Sequence, residues 1–248
     1  MSLVAITSAK GAPGVTSLAL LLSAVPHDRQ VVLVEADETG SSLIARFTLD
    51  RERGVSQLYR RPFNSASLLD ESQSLTLAPN ANEIRVVIGV ASEGRRLQLA
   101  QFWSEFAVAA RDDAETLYIV DCGRLAPESP VRCIIENADV TLFVSRSNVE
   151  NVFHTEQLIG RLQSGAVLGN AGVVISGKSE HRLYDIARSF SISTVASLTE
   201  DAHVATVLEG QGYADRKFFD TSLMKQIGAL HAYVMTQLEV APRVAESA

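Results

Sequence analysis

Cysteine is scarce in this chain: Cys122 and Cys133 are the only two in 248 residues. Two thiols at that spacing give neither a zinc pattern nor a disulfide framework. Such usage fits a reducing compartment, so a cytoplasmic location is expected. Long apolar runs are missing too. No stretch approaches the roughly 18 apolar residues of a spanning helix. The N-terminus lacks a charged segment followed by a long apolar run, so no signal peptide is expected. Positive charge is in the minority, with a formal net charge of -7. A surface of that sign is no general attractant for nucleic acid or anionic lipid. Arg51/Arg53, Arg60/Arg61 and Arg95/Arg96 are local basic pairs, read as solvated faces unless they converge in space. Repeats, low-complexity tracts and convincing linkers are absent. One domain over residues 1–240 is therefore expected, with 241–248 as a flexible tail.

What is present is apolar material in an alternating order. Hydrophobic residues make up 46% of the chain, enough for a substantial core. LVAIT (3–7) reads as a buried strand, and VTSLALLLSAV (15–25) as a helix closed by Pro26. QVVLVEAD (30–37) is a second buried strand, which completes a βαβ unit with a glycine loop after its first strand. Further strands are expected at 84–89, 116–121, 139–145, 169–177 and 193–198. Helices are expected at 95–112, 149–162, around 182–190, 201–212 and 221–238. The polar segment 50–82 is expected to hold loops with one or two short helices. Apolar strands interleaved with helices indicate an α/β fold: a mostly parallel sheet covered on both faces, in three αβα layers.

The stretch TSAKGAPGVTS (7–17) resembles a phosphate-binding loop with one residue missing. The form G-x-x-x-x-G-K-[ST] places a lysine before the hydroxyl residue. Here Val15 occupies that place, and Lys10 stands at the front of the loop. Gly11 and Gly14 keep the positions that need no Cβ. A loop of this kind points backbone N–H groups at one spot, where the helix dipole favours an anion. Pro13 brings no N–H, and Ala12 also departs from the usual pattern. Downstream, strands end in Glu35, Asp37 and Asp121. In an open parallel sheet ligands bind beyond the carboxyl ends of the strands, so the loop and these carboxylates should share one edge. Acidic residues there can hold Mg2+ and position a water. Equally, a strand-end carboxylate can cap the next helix, and Lys10 can be an ordinary surface lysine.

These motifs together resemble the ParA/MinD family of P-loop ATPases, of the SIMIBI type, whose deviant Walker A loop reads K-G-G-x-G-K-[ST]-[ST]. Against it the chain reads Lys10, Gly11, Ala12, Pro13, Gly14, Val15, Thr16 and Ser17. VVLVEAD is similar to the family's second strand, with Glu35-Ala36-Asp37 where D-x-D is usual. TLYIVDCG is similar to its Walker B segment, NADVTLFVS to the strand that follows, and LTEDAHVATVLEGQG to its late I-P-x-D segment, with Leu198 in place of proline. The resemblance covers nearly the whole chain. It implies a homodimer that sandwiches ATP and Mg2+, with the loop residues Lys10, Gly11, Ala12, Gly14, Val15, Thr16 and Ser17 at the nucleotide. It implies that Lys10 reaches across to the partner's phosphates and that Asp37 positions the hydrolytic water. Thr16 and Asp121 would serve the metal, with Glu35 beside it.

Val15 contributes no charge, so hydrolysis is expected to be slow or absent. The resemblance further implies a switch that organises a larger machine through protein partners. An atypical loop is similar to the TadZ/CpaE-like proteins of Tad (Flp) pilus assembly, although the receiver-like N-terminal domain those often carry is not expected here. The C-terminal QLEVAPRVAESA lacks the basic amphipathic helix that binds membrane in the MinD branch, so recruitment to a membrane or pole is expected to be indirect. Two alternatives stay open: a nucleotide-free pseudo-ATPase scaffold, and a DNA-associated partitioning ATPase that binds DNA weakly and without sequence preference. Cys122, next to Asp121, is expected to pack against the loop helix.

Overall fold

The computed structural model describes residues 3–11, 14–61, 63–77, 83–91, 94–126, 128–165, 168–179 and 181–240. Ala12 and Pro13 of the loop, and the 241–248 segment, lie outside the described residues. Eight strands form one sheet: β1 (Leu3–Ser8), β2 (Gln30–Glu35), β3 (Gln73–Leu75), β4 (Ile84–Val87), β5 (Thr116–Arg124), β6 (Val140–Ser145), β7 (Asn170–Ser176) and β8 (Thr194–Leu198). Their order is β3-β4-β2-β5-β1-β6-β7-β8. Every pairing is parallel except that of β3 with β4.

Among the described residues the helices are α1 (Val15–Ala24), α2 (Leu43–Arg46), α3 (Val55–Leu58), α4 (Ser65–Glu71), α5 (Arg96–Asp112), α6 (Arg132–Asn137), α7 (Val149–Gly165), α8 (Leu183–Ala187), α9 (Ala202–Leu208), α10 (Arg216–Asp220) and α11 (Ser222–Val240). Residues along each central strand alternate between two apolar layers, because successive side chains point to opposite faces. Val4, Ile6, Leu33 and Ile119 join the layer built with α1, α9 and α11. Leu3, Ala5, Val32, Val34, Tyr118 and Val120 join the layer built with α5, α6 and α7. The second layer centres on Phe106, which is fully buried and meets Tyr118, Trp103 and Phe63 edge-on. Full burial of one such ring contributes on the order of 1.5–3 kcal/mol.

This alternation corrects one expectation. Cys122 packs in the α5/α6 layer, not against α1. Asp121 occupies the α1 face of β5, so its neighbour must face the other way. The sequence also hid four elements, the four-residue α2 among them. The 50–82 segment holds α3 and α4 as short helices, but it also holds β3. β3 has only three residues, too few for a periodic signal, and exists through its antiparallel pairing with β4. Arg53 secures its entry by donating to the carbonyls of Asp70 and Ser72. The helices α6 and α10, six and five residues long, were likewise not anticipated. Only α10 carries a local signal, its N-cap Asp215, whose side chain accepts from Phe218 N at 3.0 Å.

Candidate functional site

The carboxyl ends of β1, β2 and β5 lie side by side at the middle of the sheet. Glu35 and Asp121 are register partners on adjacent strands. Each follows a residue two positions earlier, Leu33 or Ile119, that faces α1, so both carboxylates point to the α1 side. Above them α1 starts at Gly14, whose φ of 95° is left-handed and whose side of the helix end has no side-chain cap. Leu18 N reaches back to Gly14 O at 2.8 Å, leaving the N–H groups of the first turn directed outward. That is the electrostatic setting in which an anion is stabilised.

Asp121 is 1% exposed. Its Oδ1 accepts from Gly123 N at 2.9 Å, whereas its Oδ2 is buried without a hydrogen-bond partner. Burial pushes its pKa up to about 7. The Thr16 hydroxyl facing it and the Gly123 amide pull down, while Glu35 and Asp37 push up further. A buried orphan oxygen is rare and asks for an explanation, of which an ion is one. Thr16 therefore sits beside a carboxylate oxygen whose accepting capacity is unused. Among the described residues, no three His, Cys, Asp or Glu side chains group so as to hold a metal by themselves.

Glu35 is equally buried but fully engaged. Its carboxylate accepts from the hydroxyl of Ser41, from Ser42 N and Leu43 N at 3.0 Å each, and from Gly89 N at 3.3 Å. Burial nonetheless raises its pKa. These bonds cap α2 and tie the loop after β4 to the end of β2. Ser42 extends the network, its Oγ lying 3.3 Å from Thr16 Oγ1.

Asp37 is half-buried, and its Oδ1 accepts from Thr39 N at 2.8 Å and Thr39 Oγ1 at 2.7 Å. Its Oδ2 lies where a Cβ on Gly123 would be, at 2.0 Å. Gly123, with a φ of +55°, is thus the residue that lets this carboxylate rest on the end of β5. Thr16, Asp37, Glu35 and Asp121 are therefore gathered at one edge.

Lys10 is turned elsewhere. Its ammonium pairs with Glu150 in the first turn of α7. Gly11, at a φ of +72°, lies next to Asn151 of the same turn. Val15 is 2% exposed and belongs to the α1 layer, so the side chain in the lysine position is apolar and packed away. Ser17 lies next along α1 and meets a residue that the sequence did not single out, Arg46, whose Nη1 is 3.5 Å from Ser17 Oγ. Ser42 and Arg46 gave no sequence signal, because one caps and the other ends a four-residue helix outside any recognised motif.

The basic pairs partly converge. Arg60 and Arg95 place their guanidinium carbons 5.4 and 5.9 Å from the Tyr59 ring centre. Elsewhere, Arg124, Arg132, Arg161 and His154 line one cavity of about 280 Å3 between β5 and α7. A cavity of about 620 Å3 opens between α7 and α8, lined by Val152, Phe153, Glu156, Arg182 and Ile186. It does not reach the loop, and its partly apolar lining does not suit a phosphate chain. No described helix is long and apolar enough to cross a membrane.

No family model matches the chain, and no curated protein is significantly similar to it in sequence. Solved structures are similar in fold. The septum site-determining protein MinD of Pyrococcus horikoshii, complexed with Mg-ADP, shares 14% identity at a TM-score of 0.74, with 98% of this chain and 99% of that one covered. A ParA family ATPase of Chlorobium tepidum shares 14% at 0.69, covering 92% and 98%. An ATP complex of a McdA variant from Cyanothece shares 15% at 0.70, covering 98% of each chain. The described residues thus form the α/β fold of the MinD and ParA P-loop ATPases.

Proposed function

We propose that the chain is an ATP- and Mg2+-binding switch of the ParA/MinD kind, which forms a homodimer across its loop edge and positions or partitions a larger assembly. The observation that carries this reading is the open first turn of α1 set over Asp121, with a buried oxygen that has no partner and the Thr16 hydroxyl beside it. These groups suit Mg2+, which is usually bound by one or two protein side chains together with phosphate oxygens. Thr16 and Asp121 would hold it, and the ion would neutralise charge on the phosphates. The amides of the first turn would bind the phosphate chain with Ser17. Glu35 stands behind the metal and holds α2 in place. Asp37, fixed by Thr39 and Gly123, is the group we assign to the attacking water. With Val15 in place of lysine, hydrolysis is slow or absent.

Lys10 acts in trans in this reading. Its contact with Glu150 is then the form of the single subunit, exchanged for a partner's phosphates on dimerisation. Within the class, the atypical loop favours an organising role of the TadZ/CpaE kind in pilus or secretion assembly. Sedimentation velocity with ATP and Mg2+ tests the proposal. Dimer formation that requires both, and that is lost in Lys10→Ala, is expected. A mass that ignores nucleotide would point to a pseudo-ATPase scaffold.

One observation favours a DNA-associated role: the guanidinium groups around Tyr59 form a local cationic surface on an acidic protein. Binding to duplex DNA that needs ATP and falls steeply with salt would establish that role. Absence of such binding at low salt would remove it.

A further inference from the structure

Val15 stands where the loop would carry its lysine, and the loop's other lysine, Lys10, is turned to Glu150. We propose that Arg46, at the end of α2, supplies it: its guanidinium binds the nucleotide's phosphate chain in cis, entering from the side of α1 at Ser17. This inference rests on the nucleotide-binding reading above.

Position is the first argument. Arg46 Nη1 stands 3.5 Å from Ser17 Oγ, in the first turn of α1 and one residue from Thr16. That distance is the long limit of a hydrogen bond, so the contact leaves the guanidinium's donors free for a better acceptor. Among the described residues no carboxylate lies within ion-pair distance of Arg46. A half-buried guanidinium beside an open helix N-terminus, with no anion to pair with, is an arrangement that an anionic ligand completes.

Anchoring is the second. Glu35 accepts from Ser42 N and Leu43 N, which fixes the start of α2. Phe47 N closes its end on Leu43 O at 2.8 Å. Gly210, with a φ of +73°, packs so closely that a Cβ there would lie 1.7 Å from Arg46 O. The backbone at position 46 is therefore held on both sides, and Ser42, the N-cap of α2, also touches Thr16. Metal-side hydroxyl and guanidinium are set by one short element.

Chemistry is the third. A guanidinium stays charged when half-buried and presents a planar fork that matches two phosphate oxygens. An ammonium at position 15 would instead be a point charge rising from the loop. The apolar, buried Val15 leaves that space uncharged, so a cation from a neighbouring element is compatible with it.

Calorimetric titration of wild type, Arg46→Gln and Arg46→Met with ATP and Mg2+ tests the proposal, with the melting temperature of each unliganded protein as a control. Both variants should bind about ten- to a hundredfold more weakly, the range for one charge-assisted hydrogen bond. Inorganic triphosphate should lose affinity in the same proportion, because the residue acts on phosphates. Arg46→Lys should fall between wild type and Arg46→Gln. Arg46→Met keeps the apolar stem, and it carries the comparison if Arg46→Gln melts early. Wild-type affinity in the folded neutral variants overturns the role of Arg46 while leaving nucleotide binding intact. Failure of the wild type itself to bind is a different result, and it removes the nucleotide reading and this inference together.

Discussion

Position 15 holds an apolar side chain, 2% exposed, where a phosphate loop ordinarily carries its ammonium. The residues that keep an ionic character are below it. Asp121 has its carboxyl pushed up to about 7 by burial. A pKa raised above its unfolded value near 4 means that the fold favours the neutral acid. The stabilising contribution is whole below about pH 4 and is lost as the pH rises through about 7. Asp121→Asn removes that dependence and keeps an oxygen for Gly123 N. Chemical denaturation should find the variant more stable than wild type by on the order of 2–4 kcal/mol at pH 8, with little difference at pH 4. Any stabilisation of wild type by Mg2+ with ATP should vanish in the variant. Glu35 makes a contrasting case, since its oxygens are already committed to backbone and hydroxyl donors. Glu35→Ala should cost about 2–4 kcal/mol, because four donors lose a charged acceptor. Amide exchange should then speed up at Ser42, Leu43 and Gly89. Unchanged exchange at those amides would contradict its role as a latch. The sequence placed both carboxylates at strand ends. It did not separate the saturated one from the one with an open oxygen, because that difference is made by Ser41, Ser42 and Gly89, which lie in loops without a pattern.

Among elements, the short α2 does work that the sequence left unreadable. α2 is four residues long, and no periodic signal survives at that length; it exists because Glu35 caps it. The same holds for β3, which needs β4 beside it. By contrast α1, α5, α7 and α11 were legible because ten to nineteen residues repeat an apolar face. α11 closes over α1 partly through a histidine pair. His231 Nε2 and His27 Nδ1 are 3.1 Å apart, with the rings edge-on at 85°. His27 Nε2 is 2.9 Å from Leu22 O at the end of α1. With Nε2–H donating to that carbonyl, His27 Nδ1 accepts from His231, and both rings are neutral. Burial lowers both pKa values, against a smaller upward pull on His27 from the Leu22 carbonyl and on His231 from Asp28. A lowered histidine pKa gives stability that is present above the unfolded value near 6.5 and lost as the pH falls through the folded value. Thermal melts between pH 7.5 and 5.5 should therefore show a loss of stability that His231→Leu makes shallower. An equal slope in both proteins would exclude the pair as its source.

On the scale of the whole molecule, the order of strands and helices could be read from the sequence because burial dictates it. Parallel strands covered on both faces must be apolar throughout, and that requirement persists at 14% identity to MinD. Side-chain geometry at the strand ends depends instead on pairwise contacts such as Arg46 with Ser17 and Lys10 with Glu150, which join residues 29 and 140 positions apart. The central claim is that a cradle without its lysine still gathers a polyphosphate around Mg2+. Its most direct test is the melting temperature of the wild-type protein, titrated with ATP in the presence and absence of Mg2+. A ligand that binds only the folded state at about a hundredfold excess over its Kd stabilises by about 2.7 kcal/mol. The expected result is a saturable rise in melting temperature that requires both ATP and Mg2+. A melting temperature that stays flat to millimolar ATP with Mg2+ would contradict the claim.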